Sequence, residues 1–181
     1  MGKDFLSIII IFQFMAITTH LFEFERYDSA DELPASDRQL LEIARNSTSN
    51  AYAPYSHFYV VAVARLQDGT TVAGTNQENA SYPVGICAER TLLSTLATQF
   101  AGNRVEAIAI SYLNGRGGES DAPASPCGLC RQSLLEYEQR LRHPLRLILS
   151  GQMGEVIVVK QASDLLPFAF SKIELREPVD F

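Results

Sequence analysis

The sequence predicts an α/β protein in which helices cover a mixed sheet. Three observations carry that prediction. Apolar runs of strand length alternate with segments of helical spacing, in the order α-β-β-α-β-α-β-β-α. Asp68-Gly69 is a hairpin turn signal between the first two strands. Residues 105–112 are apolar enough to be a central strand, buried on both faces. The 181 residues are 46 % apolar and 20 % charged, which suits one globular domain with a real core.

Each element follows from local signals. Ser36-Asp37-Arg38-Gln39 has the spacing of a capping box, and Leu40, Leu41, Ile43 and Ala44 follow at helical intervals. A first helix is expected over about residues 37–49 and is broken by Ala53-Pro54-Tyr55-Ser56. Residues 58–66 and 70–75 read as the two strands of the hairpin. Residues 87–100 read as a helix that buries Leu92, Leu93, Leu96 and Phe100. A loop containing Gly, Ser and Pro separates the strand at 105–112 from the next helix. Ser125 as cap and Pro126 as first helical residue would start that helix, which runs to about Leu141. Residues 145–149 and 155–159 complete the strands, and Ser163 opens a short terminal helix limited by Pro167.

The N-terminus stands apart. Residues 5–14 are strongly apolar but shorter than the ~20 residues a spanning helix needs. They allow three readings: an artificial extension ahead of Met15, the apolar part of a signal peptide, or an extra packed element. The first is preferred, because no small-x-small cleavage pattern follows and export would expose free thiols to oxidation. The expected division is therefore an extension over 1–30 and a single domain over 31–175.

The net charge of −6, with no Lys/Arg run, argues against a nucleic-acid surface and for a small partner. Three cysteines make no disulfide framework, and free thiols fit a cytoplasmic setting. Cys127 and Cys130 are three apart at a helix start and so share a face. Cys87 opens another helix, and helix N-termini favour the thiolate form that binds metal. Three sulfurs on Zn²⁺ would leave a fourth position open. Three thiolates and the ion sum to −1, so a cation should stand near; Arg90 and Arg131 each adjoin a ligand in sequence. Glu89, two residues past Cys87, can stand beside the open position as acid and base. Spacing alone leaves a catalytic and a structural zinc evenly balanced. By themselves, Phe58, Asn76, Glu78, Tyr82 and Phe170 read as packing or strand-end residues.

The surrounding residues tip the balance. Cys87-Ala88-Glu89-Arg90-Thr91 and Ser125-Pro126-Cys127-Gly128-Leu129-Cys130-Arg131-Gln132 resemble the two signatures of the nucleoside cytidine deaminase family. Asn76-Gln77-Glu78-Asn79-Ala80 with Tyr82-Pro83 is similar to its ribose-recognition loop. Pro54-Tyr55-Ser56-His57-Phe58 is similar to its entry to the pyrimidine pocket. The likeness covers about residues 38–170. It implies a three-layer α/β/α sandwich with a mixed five-stranded sheet, one Zn²⁺ per subunit and a homotetramer without nucleic-acid or membrane partners. It also implies hydrolytic deamination of cytidine and deoxycytidine, with hydroxide on the zinc attacking C4 of the ring.

The same resemblance assigns roles. Cys87, Cys127 and Cys130 hold the metal, Arg90 supports it, and Glu89 carries the protons. The Ala88 N–H takes the ring carbonyl, the Ser125 carbonyl takes the exocyclic amine, and Phe58 stacks on the base. Asn76 and Glu78 take the ribose 3′-hydroxyl. Ala80, Tyr82 and Phe170 reach a neighbouring subunit's pocket. Three positions depart from the pattern: Val61 stands where the family has Gly, Leu129 replaces Ala, and Gln77 replaces an aliphatic residue. The first questions the packing behind Phe58 and not the chemistry. The rival readings are another zinc deaminase, of a modified nucleoside antibiotic or of nucleotides or polynucleotides, and a non-catalytic zinc-stabilised protein. Cys87 in place of His and the charge of Glu78 disfavour nucleotides and polynucleotides; Glu89 disfavours the non-catalytic protein.

Overall fold

A computed structural model describes residues 16–175; the apolar run at 5–14 lies outside the described residues. Six strands form one sheet: β1 (Phe24–Tyr27), β2 (Phe58–Leu66), β3 (Thr71–Thr75), β4 (Val105–Asn114), β5 (Arg146–Ser150) and β6 (Val156–Val159). Their spatial order is β1-β6-β5-β4-β2-β3. Only β4 and β5 run parallel, and α3 makes the crossover between them. The helices are α1 (Ala35–Asn46), α2 (Ala88–Gln99), α3 (Gly128–Leu141) and the short α4 (Lys172–Leu175).

Strand alternation sorts the apolar side chains into two layers. Ala62, Ala64, Ile108, Ile110, Leu147 and Leu149 face α2 and α3. Val61, Val63, Ala107, Ala109 and Ile148 face α1, where Leu40, Leu41 and Ala44 cover them. This is the expected three-layer arrangement. It also settles the packing at Val61. That side chain is fully buried on the α1 face, one residue out of phase with Val60, which packs in the other layer.

The sheet has six strands where five were expected. β1 falls inside the segment set apart as an extension, yet all four of its residues pair antiparallel with β6. It was hidden because Phe24-Glu25-Arg26-Tyr27 is short and half charged. Side chains tie it down: Arg26 pairs with Glu155, and Arg146 on β5 reaches Glu25 at 3.1 Å.

Helix starts were also misplaced. α1 begins at Ala35 with Pro34 at the cap position, so Ser36 lies in the first turn and caps nothing. Pro34 supplies carbonyl acceptors for Asp37 and Arg38, which a cap can do without a side chain. α1 ends at Asn46, and residues 48–50 form a separate 3-10 turn. α3 begins at Gly128 with Cys127 at the cap, two residues later than the Ser125-Pro126 signal implied. Ser163 sits within a 3-10 turn, Ala162–Leu165, that stops before Pro167.

Asp37 uses the first turn of α1 differently from a capping box. Its buried carboxylate takes Arg146 Nε at 3.1 Å and Arg65 Nη2 at 3.4 Å, joining α1 to β5 and β2. Removing one member of a buried ion network leaves the others uncompensated. Asp37→Ala should lower unfolding free energy by about 2–4 kcal/mol, read as a drop in the urea midpoint with unchanged slope.

Candidate active site

A cavity of about 400 Å³ opens where the start of β2, the end of β3 and the N-termini of α2 and α3 meet. Its wall includes Phe58, Asn76, Glu78, Tyr82, Ala88, Glu89, Ser125 and all three cysteines. Cys87 and Cys127 occupy the cap positions of α2 and α3, and both have extended backbone there. Their carbonyls accept the first intrahelical bonds, from Thr91 at 3.1 Å and Arg131 at 2.9 Å. Their side chains are therefore left at the positive end of each helix. Cys130 follows in the first turn of α3 and is fully buried.

The sulfurs converge. Cys87 Sγ lies 3.9 Å from Cys127 Sγ, which lies 3.4 Å from Cys130 Sγ. All three fall within 4.8 Å of one another. A tetrahedral zinc bound by sulfur at about 2.3 Å sets neighbouring sulfurs about 3.8 Å apart. The triangle fits one such ion and leaves a fourth position. Crowding separates the thiols: hydrogen bonding from Cys130 lowers Cys87 to about 6, with a smaller contribution from the Arg90 charge, while Cys130 is pushed up.

Glu89 is 5 % exposed in the first turn of α2, and burial pushes its carboxyl above the ordinary value. Ala88, the first residue of α2, is fully buried. Its N–H belongs to the set that has no partner within the helix, and it stands at the cavity wall. α2 can come this close to the sheet because of Gly74 on β3. A Cβ there would meet Ala88 O at 2.7 Å and would clash with Leu92 N.

The opposite wall is held by backbone bonds. Asn76 Oδ1 accepts from Val60 N at 2.8 Å, and its Nδ2 donates to Phe58 O at 2.9 Å. One amide proton remains for another acceptor. Glu78 Oε2 accepts from Tyr55 N at 2.9 Å and Ser56 N at 3.2 Å. The Ser56 hydroxyl, then these two N–H groups, hold the Glu78 carboxyl below its ordinary value. Residues 76–79 are themselves pinned from both sides: Glu78 N donates to Tyr52 O, and Gln77 exchanges bonds with Ile86. The Gln77 side chain donates to Thr75 Oγ1 at 2.9 Å, and its backbone keeps the pairing with Ile86 whatever the side chain.

Phe58 is 36 % exposed and stacks on Tyr112, with ring centroids 4.7 Å apart. Sequence reasoning missed Tyr112. A tyrosine in a central strand reads as core, and only the β2–β4 register, which pairs Val60 with Tyr112, brings it behind Phe58. Ile86 and Ile110 line the cavity and were likewise missed, since isolated apolar residues in a loop and in a central strand carry no local sign of a site.

Several expected residues stand elsewhere. Arg90 lies in the first turn of α2 outside the cavity wall. Arg131 donates to Pro126 O at 2.8 Å and Leu165 O at 3.3 Å, bracing the approach to α3. Ala80 and Phe170 are exposed and do not line the cavity of their own chain; Leu129 is exposed. Tyr82 is 74 % exposed at the cavity rim, edge-on to Tyr55.

The family model for the cytidine and deoxycytidylate deaminase zinc-binding region matches residues 34–141. The chain belongs to that family. A cytidine deaminase of Halalkalibacterium halodurans is 34 % identical over 142 residues, spanning 78 % of this chain and 99 % of the relative. One from Mycobacterium tuberculosis is 36 % identical over 135 residues, 73 % of this chain and 87 % of the relative. The crystal structure of a Burkholderia pseudomallei cytidine deaminase superposes with a TM-score of 0.60 at 42 % identity, covering 73 % of this chain and 97 % of that one. The chain is thus a zinc-dependent deaminase, and the sulfur triangle suits the family's metal. Among the described residues, no helix is long and apolar enough to cross a membrane.

The metal position depends on where α2 rests. Gly74→Ala should push α2 outward and separate Cys87 from Cys127. The variant is expected to lose about 1–3 kcal/mol of stability and to bind less zinc per chain by elemental analysis than the parent.

Proposed function

We propose that the chain hydrolyses cytidine and deoxycytidine to uridine and deoxyuridine with release of ammonia. One observation carries this reading: the buried Glu89 carboxyl shares a cavity wall with three converging thiols. Structural zinc has no use for a costly buried carboxylate beside it. Cys87, Cys127 and Cys130 would hold a zinc ion, which would supply Lewis acidity and make a water acidic enough to attack at neutral pH.

The chain's own residues do the rest. Glu89 accepts the proton of the attacking water and delivers it to ring N3. The water oxygen bonds to C4, and its second proton passes through Glu89 to the exocyclic nitrogen as the C4–N bond breaks, the C4 carbonyl forms and ammonia leaves. Burial favours the protonated carboxyl that this relay passes through. Ala88 N–H, at the positive end of α2, receives the ring carbonyl, and the Ser125 carbonyl receives the amine. Phe58, supported from behind by Tyr112, offers a flat face to the base. Asn76 and Glu78 take the sugar 3′-hydroxyl. Glu78 keeps Oε1 for this purpose while Oε2 is bound to backbone, and its charge repels a substrate phosphate. Arg90 offsets the excess negative charge of three thiolates. The free thiols suit the reducing cytoplasm.

The direct test is ultraviolet detection of uridine formed from cytidine. Activity should vanish with a zinc chelator and return on adding zinc. Glu89→Gln should retain one zinc per chain and lose at least about 10³-fold in kcat, since it removes the only carboxyl assigned to proton transfer. Near-normal turnover in that variant would overturn the assignment.

The active species is proposed to be a homotetramer. Tyr82, Val84, Phe168 and Phe170 are large apolar residues left exposed, with Tyr82 at the cavity rim. Exposed aromatics of this kind mark association surfaces. Ala80, Tyr82 and Phe170 would then complete a neighbour's cavity. Sedimentation should give four chains per particle, and a fully active monomer would contradict this.

A further inference from the structure

The turn after β4 clamps the segment from which the sugar side of the cavity is hung. His57 has φ of 54°, a left-handed conformation uncommon for a residue with a side chain. It is held from both sides: its N–H donates to Ala53 O at 3.0 Å, and its carbonyl accepts from Gly115 N at 2.7 Å. The approach of the two backbones needs glycine, because a Cβ at 115 would lie 2.9 Å from the Tyr59 ring and 3.0 Å from His57 O. The next residue, Arg116, donates from NH2 to Tyr55 O at 2.8 Å. The turn that presents it is braced in turn, by Arg116 N on Asn114 Oδ1 at 3.1 Å and Asn114 N on Ser120 Oγ at 2.9 Å.

The Tyr55 carbonyl and the Ser56 N–H belong to one peptide group. Its oxygen carries the Arg116 cation, and its N–H points at the Glu78 carboxylate, 3.2 Å away. A charged donor on an amide oxygen polarises the amide and strengthens the bond made by its N–H. The rigid peptide also fixes direction, so the guanidinium and the carboxylate are positioned against each other without touching.

We infer that Arg116 is a positioning residue that sets sugar specificity: acting through the Tyr55–Ser56 peptide, it holds the Glu78 carboxylate in place for the 3′-hydroxyl of the nucleoside. The inference rests on the reading of Glu78 as the sugar contact. Loss of Arg116 leaves Glu78 its two backbone bonds but lets the 55–56 peptide tilt, which weakens binding of a hydroxyl while leaving the metal, Glu89 and the base contacts as they were.

The test compares cytidine with 3′-deoxycytidine in the zinc-loaded, full-length enzyme. Arg116→Ala should raise KM for cytidine about 3- to 10-fold, the range of one hydrogen bond, with kcat within about twofold. KM for 3′-deoxycytidine should hardly move. Arg116→Lys, which restores a cationic donor, should recover part of the cytidine KM. A solvated loop charge would give no change, and a general structural role would impair both nucleosides alike or lower kcat; each result overturns the inference. Glu78→Gln is measured beside it. If Glu78→Gln raises the cytidine KM and Arg116→Ala does not, the positioning role alone fails. If Glu78→Gln leaves the cytidine KM unchanged, the sugar-contact reading fails and takes the inference with it.

Discussion

Two helix N-termini meeting at three sulfurs is the constraint on which the rest of the site depends. Cys87 and Cys127 each give their carbonyl to the helix that follows and leave the sulfur outside it, facing the other helix. Like-charged thiolates repel, so the arrangement needs a divalent cation at its centre and helix ends with favourable polarity around it. The residues proposed to act on the substrate base are then counted from these two points. Ala88 and Glu89 follow Cys87 by one and two residues, and Ser125 precedes Cys127 by two.

The scaffold meets this constraint by close contact. Gly74 lets α2 rest directly on β3, which brings the start of α2 near the end of β3, where Asn76 and Glu78 stand. The parallel β4–β5 pair is what makes α3 cross back over the same face of the sheet as α2. On the other face, α1 and the Asp37 network close the core without touching the cavity. One face of the sheet thus carries the cavity and the three sulfurs, and the other carries α1 and the ion pairs that bind it to the strands.

The cavity has a hard side and a soft side. Around the sulfurs, helix backbone sets the positions. Around Phe58 and Glu78, a turn with a left-handed His57 does so, held by hydrogen bonds with Asn76 and Glu78, just after β3, and with the loop after β4. Turns support such geometry only when several independent bonds over-determine it. That explains why so many backbone groups of residues 53–58 have partners far away in sequence.

Much of this was legible beforehand. Helical spacing gave α1 and α2, a Ser-Pro start signal gave α3, and apolar runs of strand length gave five of the six strands, because burial on one helix face imposes period 3.6 and burial on both faces of a sheet leaves short continuous apolar runs. The spacing of Cys127 and Cys130, and of Cys87 and Glu89, was readable because residues that close share a turn whatever the surroundings. β1 was not, since four mixed residues become a strand only when β6 offers its edge. The caps at Pro34 and Cys127 were misjudged at Ser36 and Ser125, because cap preference is a local bias of about 1 kcal/mol that tertiary demands override. Tyr112 behind Phe58 and Arg116 against Tyr55 were invisible for a plainer reason. They come from strand register and loop contact across 54 and 61 positions of sequence, and no local pattern encodes a partner that far away. By itself the sequence determined that the three cysteines and Glu89 stand at the starts of two helices; the tertiary structure decided how those helices approach, since that depends on contacts only the folded chain creates.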